Sequence, residues 1–458
     1  MIGKIALASL LLLVAGCAGP TPEPPDLSVR TPGGWRSASP QASEASLALD
    51  GWSAFGDPAL SAVVAEALAN NLDLALAAAR IDEARAQFDA AAAQQGVNLA
   101  GMGGGARQRA LNAFGQPTEQ TLGQGQASLT FDADLFGRIR HGSAAANANL
   151  LAARANQDAI RLATASAAAS GYIGVQAAKA RLAVLRRTLE ARDAALGLAS
   201  RRVAAGYAPA LDLRQAEVER ASAAQAVPAA ELALARQENG LRVLLGRSDG
   251  DIVTSAGLDV MALPAMPAGV PAALLRRRPD LAAAEDQVIA ADETLKAARA
   301  AFLPSVQLTA SGGFVGSTLL DDPVRVFSLG GSVLAPLFDS GRLAAGRDVA
   351  MARRDQAVVN YRRAALAAFR EVEDGLAAIA ASDSQEIALS AQMDASAQAL
   401  RLATNRYRAG YSSYLEQIDA QRGLLNSELA LVQARTDRLL ARVALYQALG
   451  GGWRGGAT

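Results

Sequence analysis

The chain has 458 residues, its 44 Lys plus Arg balanced by 44 Asp plus Glu. Zero net charge and an aromatic content of only 4% exclude the basic, aromatic-studded surface of a nucleic-acid binder. A single cysteine excludes a disulfide framework and a thiolate metal site.

The first element is an export signal, residues 1–16. Lys4 supplies the positive start and Ile5 to Val14 an apolar core, shorter than the ~20 residues needed to span a bilayer. Val14-Ala15-Gly16-Cys17 resembles the lipobox of bacterial lipoproteins, which implies that Cys17 is acylated. A plain secretory peptide with an incidental cysteine is the alternative. With Ala18 rather than Asp next, lipoprotein sorting implies the outer membrane. Residues 17–57 read as a lipidated tether, extended over Pro20 to Pro25, and an irregular segment.

A first repeat spans 58–250. Asp57 is a good N-cap and Pro58 suits a first helical position. An Ala-rich helical run follows, with a break expected at Asn70-Asn71. From Gly96 apolar and polar residues alternate. This period of two predicts a β-hairpin over about 97–136. Arg138 to Val203 then holds no proline over about 65 residues, ~100 Å of helix. A tip near Gly206 leads to a return helix opened by Asp212 and interrupted by Pro228. Residues 251–271 form a linker. The second repeat, 272–449, has the same order: helix, β-hairpin about 305–338, long helix, tip near Gly410 and return helix. Leu337-Phe338-Asp339-Ser340-Gly341-Arg342 occupies the place of Leu135-Phe136-Gly137-Arg138. Residues 450–458 form a Gly-rich flexible tail.

The duplication is explicit at the tips. Arg202-Val203-Ala204-Ala205-Gly206-Tyr207 returns as Arg406-Tyr407-Arg408-Ala409-Gly410-Tyr411. Leu185, Leu189, Leu196, Ala199 and Val203 form a coiled-coil-like seam broken only by Arg192. At the same offset the seam reads Leu389, Met393, Leu400, Ala403 and Tyr407, with Ser396 under the arginine. On the last helix Ile418, Leu425, Val432, Leu439 and Tyr446 recur every seventh residue.

No segment after the signal offers ~20 uninterrupted apolar residues, so no transmembrane helix is expected and any crossing must use strands. Four strands cannot close a barrel, and an open edge leaves backbone groups unsatisfied in lipid. Small barrels start at about eight strands, so the chain must pool strands with copies of itself; three copies would supply about twelve. The expected class is mainly α with β, a duplicated unit of long coiled helices plus β-hairpins.

The lipobox, Phe55-Gly56-Asp57-Pro58-Ala59-Leu60, Leu275-Arg276-Arg277-Arg278-Pro279-Asp280-Leu281 and Tyr407-Arg408-Ala409-Gly410-Tyr411, followed by Tyr414-Leu415 and Asp419-Ala420-Gln421, carry a resemblance. The chain resembles the TolC-like outer-membrane efflux channels, in their NodT/OprM-like lipoprotein branch. The resemblance implies a homotrimer with a 12-stranded outer-membrane β-barrel on an α-helical periplasmic barrel. It also implies a periplasmic adaptor (membrane fusion protein), an inner-membrane pump of the RND type, and outward passage of small solutes or drugs. Two other readings stay open: the exit duct of a type I protein secretion system, and a coiled-coil envelope lipoprotein without a pore.

Family correspondence places a pore gate at Leu415, Glu416 and Asp419. Glu416 and Asp419, three apart on a helix, share a face, and a ring of such carboxylates favours cations; a solvated acidic face is the alternative. It places a gate latch at Asp212 and Tyr407. The basic partner of some members falls on Ser412, leaving Arg406 or Arg408 to substitute, and Asp212 could simply cap the return helix. The tips Gly206, Tyr207, Gly410 and Tyr411 match the adaptor contact, or are plain turn residues. No cofactor or metal site is expected, and the protein is not expected to be an enzyme. The one histidine, His141, starts a helix, and no nucleophile–base motif is present.

Overall fold

The computed structural model describes residues 24–37, 51–111, 113–255, 257–264, 271–318, 320–451 and 453. Cys17 and the export signal lie outside the described residues. The long helices are α1 (Pro58–Asn70), α2 (Leu72–Ala93), α3 (Arg138–Ala204), α4 (Ala210–Leu244), α5 (Pro279–Ala300), α6 (Arg342–Ala409) and α7 (Tyr414–Ala448). The strands are β1 (Asn98–Leu111), β2 (Pro117–Ala133), β3 (Ser305–Ser317) and β4 (Val324–Leu334). Two compact units emerge. One is built on Ala79–Arg154 and Ala283–Arg363, the other on Val29–Ala78, Ala155–Ala282 and Ala364–Thr458. Each takes segments from both halves of the chain, so neither coincides with one sequence repeat.

In the first unit the strands form one antiparallel sheet in the order β1-β2-β3-β4. The register sorts their side chains. Leu99, Leu129, Ala310 and Leu329 make one cross-strand row, and Ala133, Val306 and Val333 another on the same face. Facing the other way are the rows Ser128-Ser311-Ser328 and Asp132-Gln307-Ser332. Within the second of these, the Gln307 amide donates to Asp132 at 3.0 Å. At this end of the sheet one face is therefore apolar and the other polar; toward the hairpin turns both faces are mixed, with Arg107, Arg109 and Arg325 on the first and Met102, Val315 and Val326 on the second. The outer edges of β1 and β4 have no strand partner among the described residues.

In the second unit the main core gathers Phe55, Leu60, Val64, Tyr172, Ile173, Leu241, Leu439 and Tyr446. Fully burying a side chain such as Leu60 contributes about 1.5–3 kcal/mol. Asp57 does more than cap α1 through Ala59 N–H at 2.9 Å. It also accepts from the Tyr172 hydroxyl at 2.7 Å and the Ser255 hydroxyl at 2.5 Å. Gln176 closes this buried network on Tyr172 (3.1 Å) and Ser255. Burial raises the Asp57 carboxyl pKa, but the hydrogen bonds from Ser255, Tyr172 and the helix N–H groups outweigh it and hold the pKa below the ordinary value.

Arg278 of the Arg-Pro-Asp run is a second tie. It forks onto Asp280 (2.8 and 3.0 Å), reaches Glu371 on α6 at 2.7 Å and donates to the Ala448 carbonyl at the end of α7 at 3.1 Å. Its part is to fasten the linker exit to two helices.

One helical run bears on the expectation that any crossing uses strands. The run Pro58–Ala93 is long and apolar enough by composition to cross a membrane, with a mean hydropathy of 1.3 in its most apolar window. Polar Asn71 divides it. Asn71 accepts from Asp73 N–H at 2.9 Å to start α2 and donates to the Leu244 carbonyl at 3.0 Å. Leu60, Val63, Val64 and Ala67 of α1 are spent on the core.

Candidate functional site

The candidate site is the pair of helix tips in the second unit. α3 and α6 end alike. Gly206 N–H bonds the Val203 carbonyl at 3.0 Å and Tyr207 N–H the Arg202 carbonyl at 2.8 Å. Gly410 and Tyr411 repeat this on Tyr407 (3.0 Å) and Arg406 (2.9 Å). This is the paired C-terminal cap that needs a left-handed residue after the last turn. Glycine supplies it, at φ +74° and +82°. The next residue is thrown outward: Tyr207 is 79% and Tyr411 81% exposed.

Behind the tips lies a small core of Ala199, Ala216, Tyr407, Tyr414 and Ile418. The Tyr407 and Tyr414 rings sit with centroids 5.2 Å apart. The Arg202 guanidinium lies 4.6 Å from the Tyr407 ring centroid and donates to the Tyr407 carbonyl. Burial, with the Asp212 carboxylate nearby, pushes the Tyr407 phenol pKa up. The hydroxyl itself forms no bond of good hydrogen-bond geometry among the described residues. Asp212 and Tyr407 are thus neighbours without a closed bond within one chain.

One alternative for Asp212 changes. Asp212 is not the helix cap: Pro209 holds the N-cap position of α4, and Asp212 lies in its first turn. Neither Arg406 nor Arg408 is paired with Asp212. Arg406 faces Glu416 at 3.6 Å, and the basic residue at Tyr407 is Arg202. Arg202 and Arg406 are equivalent in the repeat, yet one crosses to the second copy of the motif while the other pairs within it. Ser412 is half-buried, and its hydroxyl has no hydrogen-bond partner among the described residues.

On α7 the residues divide by face. Tyr414, Gln417, Ile418 and Gln421 are buried, whereas Leu415, Glu416 and Asp419 are exposed together. The fold therefore brings the two carboxylates and the apolar Leu415 onto one solvent face. Deeper, the Arg that interrupts the seam is an ion pair: Arg192 meets Glu219 of α4, both almost fully buried, and Arg422 of α7 donates to Glu219 at 3.0 Å through Nε. The sequence signal for it was the break at Arg192; its partners lie on other helices and left no local pattern.

Such a two-faced antiparallel sheet, with paired helix hairpins carrying exposed tips and an acidic face, defines a channel-forming envelope protein. The chain belongs to the outer membrane efflux protein family, whose sequence model matches residues 63–247 and 270–451. It is 36% identical to the outer membrane protein OprJ of Pseudomonas aeruginosa, over 100% of this chain and 97% of that one. It is 34% identical to a probable efflux pump outer membrane protein, TtgC, of Pseudomonas putida, over 98% and 95%. Among solved structures, the open state of the Neisseria gonorrhoeae MtrE outer membrane channel superposes with a TM-score of 0.83 at 29% identity, covering 96% and 99% of the two chains.

Proposed function

We infer that this chain is the outer-membrane channel of a tripartite efflux pump, passing small solutes or drugs outward from an inner-membrane transporter of the RND type through a periplasmic adaptor. The observation that carries this reading is the sheet: apolar and polar rows on opposite faces at its elbow end, and two edges without a strand partner among the described residues. A membrane barrel has that alternation, with lipid outside and a polar lumen inside, and it tolerates no open edge. Three copies joined edge to edge would close about twelve strands. Acylation at Cys17 would add a second hold on the membrane.

Within this reading Leu415, Glu416 and Asp419 line the pore gate, and threefold symmetry gathers six carboxylates that favour cations. Asp212 and Tyr407 form the latch, completed between neighbouring copies when the tip is closed. Gly206, Tyr207, Gly410 and Tyr411 meet the adaptor; their outward tyrosines offer apolar rings with a polar end, suited to an interface. The names of the relatives, an efflux pump component among them, agree with this role.

The test is the full chain in a planar bilayer, with its mass measured in detergent. A trimeric particle and discrete cation-preferring conductance steps are expected. A monomer, or a silent bilayer after verified insertion, would overturn the proposal.

A further inference from the structure

Each hairpin re-enters the helices through the same kind of elbow, and the channel reading leaves these elbows unused. Leu135-Phe136-Gly137-Arg138 leads from β2 to α3, and Leu337-Phe338-Asp339-Ser340-Gly341-Arg342 from β4 to α6. Leu337 is 92% and Phe338 89% exposed, and Leu135 and Phe136 are exposed as well. The elbows follow β2 and β4 at the end of the sheet that carries the apolar row Ala133-Val306-Val333. Beside them stand Arg138 and Arg342, both exposed. Neither is in ion-pair contact with a carboxylate among the described residues. The acids of the elbows are already committed. Asp134 accepts from Ile139 and Arg140 N–H at 3.1 and 2.8 Å, and Asp339 from Gly341 and Leu343 N–H at 3.1 and 2.8 Å. Asp134 also faces Arg140 at 3.5 Å, and the Arg138 charge acts on it from beyond ion-pair distance.

We propose that the two elbows bind anionic phospholipid of the periplasmic leaflet, with Leu-Phe in the acyl boundary and Arg138 or Arg342 on the headgroup phosphate. An exposed Leu-Phe pair is costly in water and stable at a bilayer boundary, and an arginine suits phosphate by charge and fork geometry. The duplication gives two such sites per chain, so closure of the barrel would distribute them around its periplasmic rim and fix its depth. The proposal rests on the barrel reading and adds a ligand to it.

The test takes delipidated full-length protein, reconstituted into vesicles of phosphatidylcholine and phosphatidylglycerol in equal parts, and measures the lipid retained on re-extraction. The wild type should enrich phosphatidylglycerol over phosphatidylcholine. Arg138→Gln/Arg342→Gln should lose that enrichment by about fivefold or more, and Arg138→Lys/Arg342→Lys should keep most of it. Leu337→Ser/Phe338→Ser should lower retention of both lipids. Unchanged enrichment in the glutamine variant overturns the proposal. So does competition by free glycerol phosphate as strong as that of the lipid, which would mark a simple anion site. A glutamine variant that no longer assembles would mean that the elbows pack copy against copy, and also overturns it. Conductance of the same samples separates the two readings: a conducting protein without lipid preference refutes only this inference.

Discussion

At the residue scale the two tips meet through Arg202. It holds the Tyr407 ring and carbonyl at once, whereas the Tyr407 hydroxyl, with Asp212 nearby, forms no bond of good geometry among the described residues. In the proposed gate, removing Arg202 should therefore cost this contact between the tips about 1–3 kcal/mol, from a cation–π contact and a charged hydrogen bond. Arg202→Ala should raise single-channel open probability about tenfold or more, and a closed-state conductance equal to wild type would contradict this. Glu416→Gln/Asp419→Asn should bring the cation-to-anion permeability ratio, read from reversal potentials, close to unity. An unchanged ratio would leave these carboxylates as a solvated face. Asp57 sets a pH dependence. Its folded pKa is depressed, so its contribution is complete above the unfolded value of about 3.9 and is lost as pH falls through the folded one. The stability gap between wild type and Asp57→Asn, from denaturant curves, should be widest near neutrality and shrink at the most acidic pH values.

At the element scale, α3, α4 and α7 are tied through Arg192, Glu219 and Arg422. Breaking a buried pair strands one charge and costs about 3–5 kcal/mol, while replacing both partners by apolar side chains is close to neutral. Arg192→Met should lower the unfolding midpoint markedly, and Arg192→Met/Glu219→Leu should recover most of the loss. Equal loss in single and double variants would show that the pair is not the reason. The repeat made this pair hard to foresee. Arg192 corresponds to Ser396 and Glu219 to Gly423, so the polar bridge exists in one half only.

At the scale of the whole molecule, the proposed barrel requires copies of this chain to complete one another. Two sheet edges have no strand partner among the described residues, and long helices expose Leu211, Val218, Ile387 and Leu402. Leu329 and Ser328 are adjacent in β4 and point to opposite faces. An arginine on the lipid face of a barrel costs about 2–4 kcal/mol at the midplane, and one in the lumen costs far less. Leu329→Arg should therefore reduce membrane insertion, assayed by heat-modifiable mobility, while Ser328→Arg should insert normally and lower conductance. Equal behaviour of the two would refute the assignment of faces.

The sequence by itself determined the elements: proline-free Ala-rich helices, period-two strands and duplicated glycine tips, because each rests on short-range rules of backbone and hydrophobic spacing. It also determined that Glu416 and Asp419 share a face, since helical periodicity is local. Only the tertiary structure decided which equivalents diverge. It gave Arg202 to Tyr407 and Arg406 to Glu416, buried Arg192 against Glu219, and spent the apolar run Pro58–Ala93 partly on a core. Those outcomes depend on which side chains meet across helices far apart in the chain, and no local period encodes such a meeting.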